Sequence, residues 1–124
     1  MCYAPSQDEA KTTAHRFFRW SLTGWPVMAE LPDTQGFAAA SRNISPASVA
    51  AAIPCGPEPE RHLDAIRRYI DAGFDHIILT QIGPAQGEFL DFFTRELAQG
   101  LCQSEHAPIV PHSSSGRRAP VPAA

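Results

Sequence analysis

The stretch IPCGPEPERHLDAIRRYIDAGFDHIILTQIG, residues 53–83, decides how this chain is read. Ile53 and Cys55 suit a short strand that leaves through Gly56 and Pro57. Pro59 suits the first turn of a helix, where its missing N–H costs nothing. Leu63, Ile66 and Ile70 then recur at i, i+3 and i+7 while Arg61, Asp64, Arg67 and Arg68 fall outside that stripe, so the spacing predicts an amphipathic helix over residues 60–72. Gly73 stands where a helix is closed by a left-handed residue, with Phe74 placed to fold back on the last turn. The following run, His76-Ile77-Ile78-Leu79-Thr80-Gln81-Ile82, is apolar almost without interruption, the pattern of a parallel strand covered on both faces, and Gly83-Pro84 ends it.

Upstream, residues 2–4 read as the end of a strand. A helix follows with Ser6 or Asp8 as N-cap and Ala10, Ala14, Phe17 and Phe18 at helical spacing. Residues 19–52 form a Pro- and Gly-punctuated excursion with two short helices expected, one around residues 37–42 and one capped by Ser45 with Pro46 at N1. Such excursions serve as binding or lid segments, whereas large aromatics such as Trp20, Trp25 and Phe37 more commonly cover a core. Downstream, residues 86–99 place Phe89, Phe93 and Leu97 at i, i+4 and i+8 with Phe92 beside them, and Gly100 is expected to stop that helix. The order of strands and helices predicts an α/β class with a parallel sheet.

The chain has 124 residues, 44% of them apolar, which suits one domain with a core. From Cys102 the text turns to Pro, Ser and Ala with no periodic apolar face, so residues 102–124 are expected to be a disordered tail behind a domain of residues 1–101. A net charge of −3 from interspersed charges argues against a nucleic-acid partner. No apolar run approaches the ~18 residues of a membrane span, which predicts a cytoplasmic protein with no membrane partner. The three cysteines, Cys2, Cys55 and Cys102, are far apart and lack C-x-x-C spacing. His15, His62, His76, His106 and His112 never fall at i, i+4, so neither a disulfide framework nor a metal site is expected.

The combination VMAELPDTQGFAAAS, then CGPEPERH, DAGFDHI and TQIGPAQGEFL in that order, then FLDFFTREL, resembles the C-terminal part of the luciferase-like oxidoreductases. Within them it is most similar to the branch that uses the deazaflavin coenzyme F420 and includes glucose-6-phosphate dehydrogenase-like members. The resemblance spans residues 2–101. It implies a (β/α)8 TIM barrel, a fold of ~250 residues. The chain would then hold about the last third of it, from the end of strand six to the closing helix, as a C-terminal fragment arising from truncation, a wrong start codon or partial sequence.

The function implied is hydride transfer between the deazaflavin and a small organic substrate in a parent protein, with this chain inactive alone. The family's catalytic residues come mainly from early strands, so no catalytic residue is assigned. Cys55, Gly56, Gln81 and Gly83 would sit on the barrel rim, where Gly56 and Gly83 would let backbone N–H groups approach a phosphate and Gln81 would bond substrate or cofactor. The common use of loop glycine is a tight turn, and a free Cys at a strand end is more commonly a small buried residue than a nucleophile. Met28 and Ala52 stand where the sugar-phosphate enzymes place basic groups, which argues against that substrate unless Arg19 and Arg42 substitute. Two alternatives are a piece of an FMN-dependent luciferase-like monooxygenase and a non-catalytic α/β fragment that pairs its strand edges with a partner chain. Bare edges also predict self-association.

Overall fold

The computed structural model describes residues 1–104. It is built from helices: α1 (Gln7–Phe18), a 3₁₀ segment (Arg19–Thr23), α2 (Trp25–Ala29), α3 (Thr34–Ala40), α4 (Pro46–Ala52), α5 (Pro59–Asp71), α6 (Gln86–Phe92), a π turn (Phe93–Leu97) and α7 (Ala98–Ser104). The helix boundaries follow local chemistry. Ser6 caps α1 by accepting from the Glu9 N–H, Asp33 caps α3 by accepting from Gly36, and Ser45 caps α4 by accepting from Ser48 with Pro46 behind it. Helix α5 ends in the expected closure: Gly73 takes φ +91°, its N–H donates to the Ile70 carbonyl at 2.9 Å, and Phe74 N–H reaches back to Tyr69 at 3.1 Å.

Two small cores result. In the first, Ala10 and Ala14 of α1 meet Val49 and Ala50 of α4, where the absence of bulky side chains lets the helix axes approach, and Cys2, Cys55 and Ile82 complete it. In the second, Leu63 of α5 packs on Phe89, Phe92 and Leu97. The spacing of that face is irregular for a physical reason. Phe92 and Leu97 are five residues apart, and both face α5 because the turn between them is π, with one residue more than an α turn. Phe93, which a straight α-helix would have buried, is left half-covered.

The α/β expectation is overturned: the described residues hold helices with no strand and no sheet, an all-α arrangement and not a piece of a TIM barrel. Among the described residues the only pairing of β type is an isolated parallel bridge between Cys2 and Cys55. Main-chain bonds tie Cys2 N–H to the Pro54 carbonyl at 2.8 Å, Gly56 N–H to the Cys2 carbonyl at 3.0 Å, and Ile82 N–H to the Met1 carbonyl at 2.9 Å. These contacts stop within a residue or two, whereas a strand needs consecutive ladder bonds. The run expected to be a buried strand, residues 76–82, has no chain alongside its first four residues, and Ile78 is 93% exposed.

Other departures are smaller. Gly100 does not end the last helix, which runs to Ser104, past the expected start of the tail at Cys102. The rest of that tail, residues 105–124, with His106, His112 and the pair Arg117–Arg118, lies outside the described residues. Of the excursion aromatics, Phe37 is half-buried, Trp20 is at the surface, and Trp25 is 76% exposed and covers no core. No helix among the described residues is long and apolar enough to cross a membrane.

Candidate functional site

The four positions singled out from the sequence are brought near one another, and each is occupied by the chain itself. Cys55 is fully buried opposite Cys2. The Cys2 thiol lies 3.5 Å from the Ile82 carbonyl, and its pKa is pushed far up by the neighbouring Cys55 thiol and by burial, so it stays protonated. Gly56 has φ +116°, a conformation other residues adopt only under strain, and an added Cβ would collide with the Gln7 carboxamide. With its amide nitrogen turned toward them, Gln7 donates to the Cys55 carbonyl at 3.0 Å and to Glu58 at 3.1 Å. Gly83 has φ +96°, with Thr13 2.5 Å from where its Cβ would stand.

Gln81 was expected to reach for a ligand. Its carboxamide instead closes a ring with the main chain of Tyr3, accepting from the Tyr3 N–H at 2.9 Å and donating to the Tyr3 carbonyl at 2.9 Å. A side-chain amide here does the work of a peptide group in a ladder, holding residues 80–82 against residues 1–3. Both hydrogen-bonding ends of Gln81 are therefore used. Gln86 adds to the same joint by donating to the carbonyls of Gln81 at 3.2 Å and Gly83 at 2.7 Å.

His62, which drew no attention in the sequence beyond its spacing, is fully buried beneath this joint. Its Nε2–H donates to the Gly56 carbonyl at 2.8 Å, its ring stands edge-on to Phe92 at 5.3 Å, and Nδ1 has no hydrogen-bond partner. It sits one residue before Leu63 on the inner side of α5, beside Leu63 and Ile66 of the buried stripe. Among the described residues no group of three His, Cys, Asp or Glu could hold a metal ion.

The open feature of this side of the molecule is an edge. Residues 76–80 carry no regular structure, and exposure alternates along them: His76, Ile78 and Thr80 face out while Ile77 and Leu79 are half-covered. That period of two is the pattern of extended chain. No main-chain group of residues 76–79 is hydrogen-bonded to a described residue. Behind the edge lies a cavity of about 460 Å³, open to solvent, with α5 contributing Ala65, Ile66 and Tyr69 and the edge contributing Phe74, Ile77 and Leu79. The apolar side chains Phe74 and Tyr69 at its rim are strongly exposed, at 58% and 56%, and Ile70 on the same last turn of α5 is 49% exposed. Ile70 thus departs from the expected burial of the α5 stripe: α6 and α7 cover α5 at Leu63 but do not reach its last turn. Against known proteins, no family model, no curated protein and no solved structure matches this chain.

Proposed function

We propose that this chain is a self-associating module that pairs the edge at residues 75–81 with the same edge of a second copy. The observation that carries it is Ile78, 93% exposed within residues 76–79, whose main-chain donors and acceptors meet no partner among the described residues. An exposed apolar edge with free N–H and C=O groups is a template for another extended segment. Antiparallel pairing centred on Ile78 sets Ile77 against Leu79 and His76 against Thr80. No like charges oppose one another in that register, so the sequence is complementary to itself. The second copy would also cover Phe74 and the cavity beside α5. The oxidoreductase reading, with the deazaflavin or FMN as cofactor, rests on the sequence resemblance alone; the geometry adds nothing to it, since Gln81 and both glycines are engaged within the chain.

Sedimentation equilibrium of the full chain across a wide concentration range should show a monomer–dimer equilibrium. Ile78→Lys should shift it to monomer with unchanged helical circular dichroism. A concentration-independent monomer, or a dimer unaffected by Ile78→Lys, would overturn the proposal.

A further inference from the structure

A second concavity has a lining that shares no residue with the edge. It is a groove of about 410 Å³ between the end of α1 with its 3₁₀ extension and helix α3, lined by Arg16, Arg19, Trp20, Phe37, Ala38 and Ser41. Its walls are aromatic and fixed. The Trp20 ring packs at 4.8 Å from Phe18 and stands edge-to-face with Phe37 at 5.9 Å, and its indole N–H is tied to the Phe17 carbonyl at 3.1 Å. Ser41, 1% exposed, donates its hydroxyl to the Phe37 carbonyl at 2.7 Å and accepts from Arg19 Nε at 3.3 Å.

The charge in this groove is uncompensated. Arg16 and Arg19 are three residues apart and share a face, yet neither is within ion-pair distance of a described carboxylate. Arg16 lies over the Phe17 ring at 5.2 Å, and the Ser41 bond uses only Nε of Arg19. The two terminal nitrogens of Arg19 are left as a planar fork, the arrangement that takes a carboxylate through two parallel bonds. A groove with a cationic lip and aromatic walls, of a size typical of small-molecule sites, selects a ligand with a flat apolar body and one anionic end.

We infer that this groove binds a small aromatic carboxylate, with its carboxylate on Arg16 and Arg19 and its ring between Trp20 and Phe37. A ring there adds apolar contact that a free inorganic anion lacks, and the paired guanidinium groups discriminate against a neutral ring. The site shares no residue with the edge at residues 75–81, so its test is independent of self-association.

The test is a titration of the full, ¹⁵N-labelled chain with 2-naphthoate, followed through the indole N–H resonances of Trp20 and Trp25 and assigned with Trp25→Phe. The Trp20 signal should shift saturably while that of Trp25 stays in place. The neutral isostere 2-naphthamide should bind at least about tenfold more weakly, and Arg16→Gln should lose a similar factor, as expected when a charge-assisted hydrogen bond is removed. Arg16 is solvent-exposed, so its substitution leaves the fold intact; Arg19→Gln should lose more, with Arg19→Lys recovering part. An unsaturable shift, equal binding of acid and amide, or wild-type affinity in Arg16→Gln would overturn the inference.

Discussion

His62 shows how one residue ties stability to pH in this molecule. Burial holds its pKa below the ordinary 6.5, opposed in part by the bond to the Gly56 carbonyl. The neutral ring is therefore favoured in the folded chain, and below pH 6.5 the unfolded chain takes up the proton more readily. The stability His62 contributes is complete above about pH 6.5 and falls as the pH drops from there toward its lower native value, by up to about 1.4 kcal/mol per pH unit. Urea unfolding at pH 7 and pH 5 should show wild type losing stability on acidification and His62→Gln losing measurably less. Equal losses in the two proteins would show that His62 is not the group responsible. In the sequence His62 is marked only by its spacing from other histidines, although helical geometry places it beside Ile66 of the buried stripe. Its complete burial was not legible, because that depends on Phe92 and the Gly56 loop closing over it.

Helices α6 and α7 illustrate the same division at the scale of an element. Gly87 and Gly100 are both helical glycines, and intrinsic propensity favours alanine at either by up to ~1 kcal/mol. Their surroundings differ. A Cβ on Gly87 meets nothing within 4 Å, whereas one on Gly100 falls 2.5 Å from the Leu63 side chain. Gly87→Ala should therefore raise stability by about 0.4–1 kcal/mol, and Gly100→Ala should lower it by roughly 1–3 kcal/mol as the α5–α7 contact is forced apart. Chemical denaturation of the two variants measures the difference, and stabilisation by Gly100→Ala would mean that α7 does not sit on Leu63. In the sequence Gly100 carries the signature of a helix stop. Its use here as a point of close approach depends on the partner helix, which no local pattern names.

At the scale of the whole molecule, the interior is thin and divided between an alanine-rich α1–α4 contact and a smaller aromatic cluster on α5. Leu63 is 2% exposed at the centre of the second, so Leu63→Ala should cost about 2–5 kcal/mol. Ile78, expected from the sequence to be buried by neighbouring strands, should cost no more than about 0.5 kcal/mol when cut to Ala in dilute monomer, as exposed sites do. Thermal unfolding of both variants at low concentration separates them. A loss above 2 kcal/mol at Ile78 would show that the edge is covered within a single chain and would remove the surface on which self-association depends.

The sequence by itself determined the ends of some helices: Ser6 starts α1, Ser45 with Pro46 starts α4, and Gly73 with Phe74 closes α5. These signals work because their bonds join residues no more than five positions apart, so local chain chemistry contains both partners. Tertiary structure alone decided what residues 76–82 became. An apolar run is compatible with a covered strand, but a strand exists only when another segment lies alongside to complete its hydrogen bonds, and the chain supplies such neighbours to Thr80 and Ile82 and not to Ile77, Ile78 or Leu79. The same holds for Gln81, whose amide could have met a ligand and meets Tyr3, 78 residues away in sequence.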